Sequence, residues 1–261
     1  MKRQKEVKDL STTRLREGDA VLAAFAGSTR ASCVFFSNFG VAYTSRIIDV
    51  PASTGYGEPI QRLFKLKDGE KIVAALSLDA RVVGNINVPP PRRAGASAPA
   101  EEIPPVHAVA VSSDGYALRF GLDGFVEPST RSGRRFARPS EDAEIVNVAR
   151  LTGGEVLIAA TAEARGILCK ADEVNYLSGP GKGVILIKLG DDDRVLGAIA
   201  SSGDRDLLTV ETTRGAEQTI STGKYEVTGR GGKGRELLQR GQFTRVLWPT
   251  PEAPPPLSGL S

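Results

Sequence analysis

Residues 228–238, Thr-Gly-Arg-Gly-Gly-Lys-Gly-Arg-Glu-Leu-Leu, join four glycines to three basic side chains. Glycine reaches positive φ and lets backbone N–H groups come close to a ligand. An arginine on such a loop can grip a phosphate with two parallel hydrogen bonds, and a lysine adds a point charge. Arg230, Gly231, Gly232, Lys233, Gly234 and Arg235 are therefore candidates for contacts to a phosphodiester backbone. Such contacts give affinity without sequence preference. The plainer reading is a surface turn with solvated cations, and for an isolated pentapeptide it is the stronger one.

Other loops carry similar residues. Thr-Arg-Ser-Gly-Arg-Arg-Phe-Ala-Arg-Pro sets Arg131, Arg134, Arg135 and Arg138 around Phe136, and Ser-Gly-Pro-Gly-Lys-Gly holds Lys182. Arg62 and Lys65 could extend the series, although solvated surface charge is the better account of each. None of these is a nucleotide-binding P-loop, because Gly183 and Gly234 follow the lysines where Ser or Thr is required. His107, the single histidine, opens an apolar run and reads as a strand residue. Cys33 and Cys169 lie in separate apolar runs and read as buried thiols. Asp191, Asp192 and Asp193 are spaced like a turn, without the flanking ligands of a metal site. No carboxylate pair, activated nucleophile, metal set or cofactor fingerprint is legible.

The elements that must carry these loops form a repeat. Apolar runs containing Val21, Ile72, Ile145, Val195 and Val246 recur at intervals of about fifty residues, with one longer gap after Ile72. The gap holds residues 88–105, rich in Pro, Ala and Gly and read as a mobile insertion. Each unit also carries a strand pair around a polar turn, with Gly40, Gly124, Gly166 and Gly215 expected at the turns. A glycine loop follows, beginning at Gly55, Gly133, Gly179 and Gly229. Units of three or four strands cannot bury their own faces, so the expected fold is all-β, a propeller-like ring of about four blades with room for a partial fifth. Residues 1–16 read as a charged extension, 17–249 as the ring and 250–261 as a disordered tail. Phe-Thr-Arg-Val-Leu-Trp at 243–248 is expected to close the first blade, with Trp248 as a plug at the closure.

The bulk numbers agree with a non-catalytic binding role. Thirty-four basic and 31 acidic residues give a net charge of +3, which permits an acidic partner without demanding one. The N-terminus lacks the apolar core of a signal peptide, and no run reaches the ~20 residues of a membrane span. The expected setting is a reducing cytosol, with no membrane partner.

Gly-Glu-Pro-Ile-Gln-Arg-Leu-Phe-Lys-Leu-Lys-Asp-Gly-Glu-Lys-Ile-Val-Ala-Ala-Leu-Ser-Leu-Asp (57–79), the strand–turn pattern at 207–221 and the 228–234 box together point to one family. The chain from about Glu17 to Pro249 resembles the C-terminal domain of the A subunit of bacterial DNA gyrase and topoisomerase IV. That resemblance implies a β-pinwheel whose blades exchange strands and whose basic rim binds and bends duplex DNA. Arg230, Gly231, Gly232, Lys233 and Gly234 match the last five positions of the gyrase box, while Thr228 and Gly229 replace its initial Gln and Arg. The box lies in the last blade rather than the first, and both departures fit a topoisomerase IV-like role with a degenerate box. The family usually has more blades than four, so the resemblance implies a short or open ring. The catalytic tyrosine of that family lies upstream of this domain, and none of Tyr43, Tyr56, Tyr116, Tyr176 or Tyr225 has such a context. The chain is thus expected to serve an ATP-dependent type II topoisomerase without cutting DNA itself, partnered by duplex DNA and the topoisomerase catalytic subunits. The alternative is a propeller scaffold that binds protein and has lost DNA wrapping.

Overall fold

The computed structural model describes residues 1–87 and 102–259. The expected insertion at 88–105 lies mostly outside these residues. Strands are short and rich in Val, Ile, Phe and Ala, and they pair into four sheets. In the first, β1 (Ser32–Ser37) and β2 (Val41–Arg46) form a hairpin, and β3 (Ile72–Ser77) pairs with β1. The second has β4 (His107–Ser112) and β5 (Tyr116–Phe120), and the third has β8 (Val156–Thr161) and β9 (Arg165–Lys170). Their following strands, β7 (Ile145–Leu151) and β12 (Val195–Ser201), pair with β4 and β8. The fourth comprises β13 (Leu208–Thr212), β14 (Glu217–Ile220) and β16 (Phe243–Val246).

The remaining strands cross between repeats. β6 (Arg134–Arg135) belongs to the second repeat but pairs with β2 of the first blade. β10 (Tyr176–Leu177) and β11 (Val184–Ile185) pair with β5 of the blade before them, and β15 (Arg235–Glu236) pairs with β9. Each of the first three blades is therefore completed by the repeat that follows it. β3, β7, β12 and β16 touch in succession, which puts them inside and the exchanged strands on the outer perimeter.

Every residue of β1 and β4 is buried, as expected where a sheet is covered on both faces. Separate apolar clusters join the first blade to the second, the second to the third and the third to the fourth. Phe36, Phe120 and Phe136 show the pattern. Phe136 follows the exchanged β6 and sits 5.0 Å from Phe36 and 5.1 Å from Phe120, ring centre to ring centre. Among the described residues, no cluster, hydrogen bond or ion pair joins the first blade to the fourth.

Several sequence expectations change. The hairpin turns carry Gly40, Gly115, Ala164 and Gly215 at positive φ, while Gly124 falls in a 3-10 turn after β5 and Gly166 lies within β9. Gly166 makes room for Leu237 of the exchanged segment, where a Cβ would come within 2.7 Å of its side chain. Residues 243–248 close the fourth blade, not the first, because β16 pairs with β13. Trp248 is half exposed and packs over Gly197 of β12. The run at Val21 to Ala26 forms no ladder strand, and residues 20–27 make no backbone–backbone hydrogen bond to any described residue. In the expected extension, Arg3 forms a parallel bridge with Ala52, and the Met1 amino group donates to the Glu58 carbonyl at 2.7 Å.

Candidate nucleic-acid interface

The glycine loops owe most of their form to strand exchange. Gly133, Gly183 and Gly234 each precede an exchanged strand at positive φ. A Cβ on Gly133 would lie 2.7 Å from the Ala42 carbonyl oxygen and one on Gly234 2.7 Å from that of Gly166; on Gly183 it would collide with the Ala117 carbonyl. Only glycine allows this backbone approach. Gly231 is held by its φ of 81°, whereas Gly179 faces open space.

The box is partly turned inward. Arg230 donates from Nε to the Glu173 carbonyl at 2.7 Å and from Nη1 to the Ile185 carbonyl at 3.1 Å, so its guanidinium ties the loop to the third repeat. The Arg230 amide donates to a Glu173 carboxylate oxygen, and the Gly231 amide donates to the Leu186 carbonyl. The amides of Gly232, Lys233 and Gly234 have no partner among the described residues. Lys233 and Arg235 are exposed, and the Arg235 guanidinium lies 5.8 Å from the Tyr225 ring centre.

The second repeat contributes Arg131, Arg134, Arg135 and Arg138, all exposed. Arg134 donates to the Gly124 carbonyl at 2.7 Å, and Arg135 and Arg131 reach the Phe39 and Gln61 carbonyls near the limit of hydrogen bonding. None of these four has a carboxylate within 4.0 Å among the described residues, nor do Lys233 and Arg235. Lys182 differs. Its ammonium stacks 3.8 Å from the Tyr116 ring centre and pairs with Asp114 at 3.4 Å. Burial raises the Asp114 carboxyl, but hydrogen bonds from Ser112 and Ser140 and the Lys182 charge outweigh it and lower its pKa. The charge of Lys182 is therefore largely compensated.

One backbone bond recurs at every junction and links these cations. Lys65 N–H donates to the Arg131 carbonyl at 2.7 Å, Arg138 N–H to Gly181 at 2.8 Å and Lys188 N–H to Gly232 at 2.8 Å. A basic residue of one repeat is thus fixed beside the glycine loop of the next. Lys65 and Lys188 consequently join the perimeter set. Lys188 sits inside the apolar run Ile-Leu-Ile-Lys-Leu, and only its phase with Arg138, five residues after the loop glycine in each repeat, could have singled it out.

Other titratable groups are structural. His107 is buried; its Nδ1 meets the Pro104 carbonyl at 3.0 Å and its Nε2 faces Arg119, while burial lowers its pKa. Arg119 is also buried and ends on Val174 and Asp172. Burial pushes both thiols, Cys33 and Cys169, up to about 12.

Successive three-to-five-stranded blades, strands handed back to the preceding blade and a cationic perimeter define a β-pinwheel domain. The chain belongs to the DNA gyrase C-terminal domain, beta-propeller family, whose model matches residues 31–79, 107–152 and 155–202. It is 24% identical to the A subunit of DNA gyrase from Haloquadratum walsbyi over 231 residues, 87% of this chain and 25% of that protein. Against the gyrase A subunit of Aminobacterium colombiense identity is 26% over 237 residues, 90% of this chain and 26% of the relative. The chain thus spans about a quarter of the length of these relatives. Among solved structures, the C-terminal domain of DNA topoisomerase IV superposes with a TM-score of 0.74 at 15% identity, covering 90% of this chain and 69% of that one. The E. coli ParC C-terminal domain gives 0.65 at 18% identity, with 91% and 89% covered. No helix among the described residues is long and apolar enough to cross a membrane.

Proposed function

We propose that this domain binds duplex DNA along its outer perimeter, without sequence preference, and bends it on behalf of a type II topoisomerase. The observation that carries the reading is the repeated junction bond, which joins Lys65 to Arg131, Arg138 to Gly181 and Lys188 to Gly232, the neighbour of Lys233. These bonds fix the backbone from which the cations extend, so the spacing of their attachment points is set before any phosphate is met. Uncompensated charge on one perimeter attracts the phosphate backbone, and each neutralised phosphate releases counterions. Bending a short site costs on the order of 1–6 kcal/mol, so contacts from several blades must act together. Arg230 serves mainly to hold its loop, and Lys188, Lys233 and Arg235 face the DNA. Residues 17–249 act as the binding unit, and the topoisomerase catalytic subunits are its protein partners.

The test is binding to a duplex long enough to bend, across a salt series, read by mobility shift and by fluorescence transfer between the DNA ends. Tight, salt-sensitive binding that draws the ends together is expected. Replacing Lys188 and Lys233 together with Ala should flatten the log–log salt slope by about two. An unchanged slope removes these residues from the interface, and absence of binding at low salt leaves the protein-scaffold reading.

A further inference from the structure

The fourth blade lacks what the other three receive. After the hairpin turns at Gly40, Gly115 and Ala164, the next two residues pair with an exchanged strand: Val41 and Ala42 with β6, Tyr116 and Ala117 with β11, Arg165 and Gly166 with β15. The turn carbonyls are also used, Gly40 accepting from Phe136 and Ala137, Gly115 from Leu186 and Ile187, and Ala164 from Leu237. Further along, the Thr44 and Leu168 carbonyls accept from Ser129 and Thr228. At the equivalent turn, Gly215 has a similar φ of 78°, but nothing lies within 4 Å of its Cβ position. No described residue pairs with the outer edge of Ala216 and Glu217, and the carbonyls of Gly215 and Thr219 accept no backbone bond there. Gly215, Ala216 and Glu217 are all exposed.

The three filled edges define the missing occupant. Each receives a positive-φ glycine, two extended residues and then two apolar residues: Gly133-Arg-Arg-Phe-Ala, Gly183-Val-Ile-Leu-Ile and Gly234-Arg-Glu-Leu-Leu. The residue after the glycine would lie opposite Glu217, as Arg235 lies opposite Gly166. Glu217 has no cation within 4.0 Å among the described residues, so a basic residue suits that position. The first repeat cannot supply the segment. The position five before Lys65 is Ile60 rather than glycine, Pro59 lacks an N–H, and Ile60–Arg62 forms a 3-10 turn. We propose that the edge at Gly215–Glu217 is a strand-accepting site for a polypeptide segment outside these 261 residues, of the form glycine–basic–any–apolar–apolar. Recognition is by strand addition, with backbone bonds giving affinity and the glycine and basic residue giving selectivity. The site does not depend on DNA binding.

A fluorescent peptide copying residues 232–240 (GKGRELLQR) provides the probe, titrated into the full chain and followed by anisotropy. Saturable binding below about 1 mM is expected, with new hydrogen-exchange protection at Glu217, whereas the Ala216 amide already donates to the Thr212 hydroxyl. The peptide carrying Gly234→Ala should not bind. Glu217→Lys in the protein leaves the fold intact, because that side chain is exposed and unpaired, and should weaken the peptide about fivefold. A peptide with Arg235→Glu should recover the loss on that variant. No saturable binding, or binding indifferent to Glu217→Lys and to the peptide glycine, overturns the proposal. Self-association of the chain that Glu217→Lys abolishes would put a second copy in the site and overturn it equally.

Discussion

Gly183 is a position where one added methyl group should do great harm. Its φ of 87° and the Ala117 carbonyl beneath it leave an alanine both strained and in collision. Gly183→Ala is expected to cost more than ~2 kcal/mol in urea denaturation. Gly179→Ala in the same loop faces open space and should stay within about 0.5 kcal/mol; similar losses at both sites would contradict the exchange geometry. Asp79 offers a pH test. Hydrogen bonds from the Arg81 guanidinium, opposed by burial and aided by the Ser28 and Arg81 amides, hold its pKa at about 2 against an ordinary 3.8. A depressed carboxyl stabilises the fold above its unfolded pKa and loses that contribution as pH falls towards the folded value. Asp79→Asn should therefore cost up to roughly 2 kcal/mol at neutral pH, and thermal melts of variant and parent should converge as pH approaches about 2. At this scale the sequence showed the cations and glycines plainly. It hid the third turn, because Ala164 at φ 58° bears no glycine signature. It hid Lys188 because a lone lysine among apolar neighbours gives no local cue.

The exchanged strands are the elements that sequence periodicity could not reach. β6, β11 and β15 have two residues each, too short for any alternation, and Arg134–Arg135 reads as a loop until Phe136 is seen in the core. The hairpins and the inner strands β3, β7, β12 and β16 were legible because their β-branched and aromatic runs recur in phase. The run at Val21 shares that phase without forming a ladder strand, since no hairpin among the described residues adjoins it as a pairing partner. The exchange has its own chemical reporter. Cys169 is fully buried in β9, bridged to Thr228 where the third exchange begins, and burial pushes its thiol up to about 12. Both cysteines should resist a thiol reagent in the native protein. Gly234→Ala, which unseats β15, should expose Cys169 to labelling well before Cys33, which lies in β1 between β2 and β3. Equal labelling of the two would mean the whole domain opens together.

Adjacent blades are joined, and among the described residues nothing joins the first blade to the fourth. Stability in such an array is close to a sum of units and their interfaces. Among the described residues the fourth blade has one interface and one unpaired edge, so β14 amides should exchange with solvent faster than those of β5 or β9 in native-state hydrogen exchange. Uniform protection across the four blades would require a closure between the first and the last. The repeat count was within reach of the sequence; whether the ring closes, and the direction in which strands are donated, were not. That direction sets an order on the making of the protein. The first blade is complete only when residue 135 is available, the second at 185 and the third at 236. At about 5–20 residues per second on the ribosome, each blade waits several seconds for its last strand. Every nascent intermediate thus carries one uncapped sheet edge, the exposure that a chaperone would have to cover.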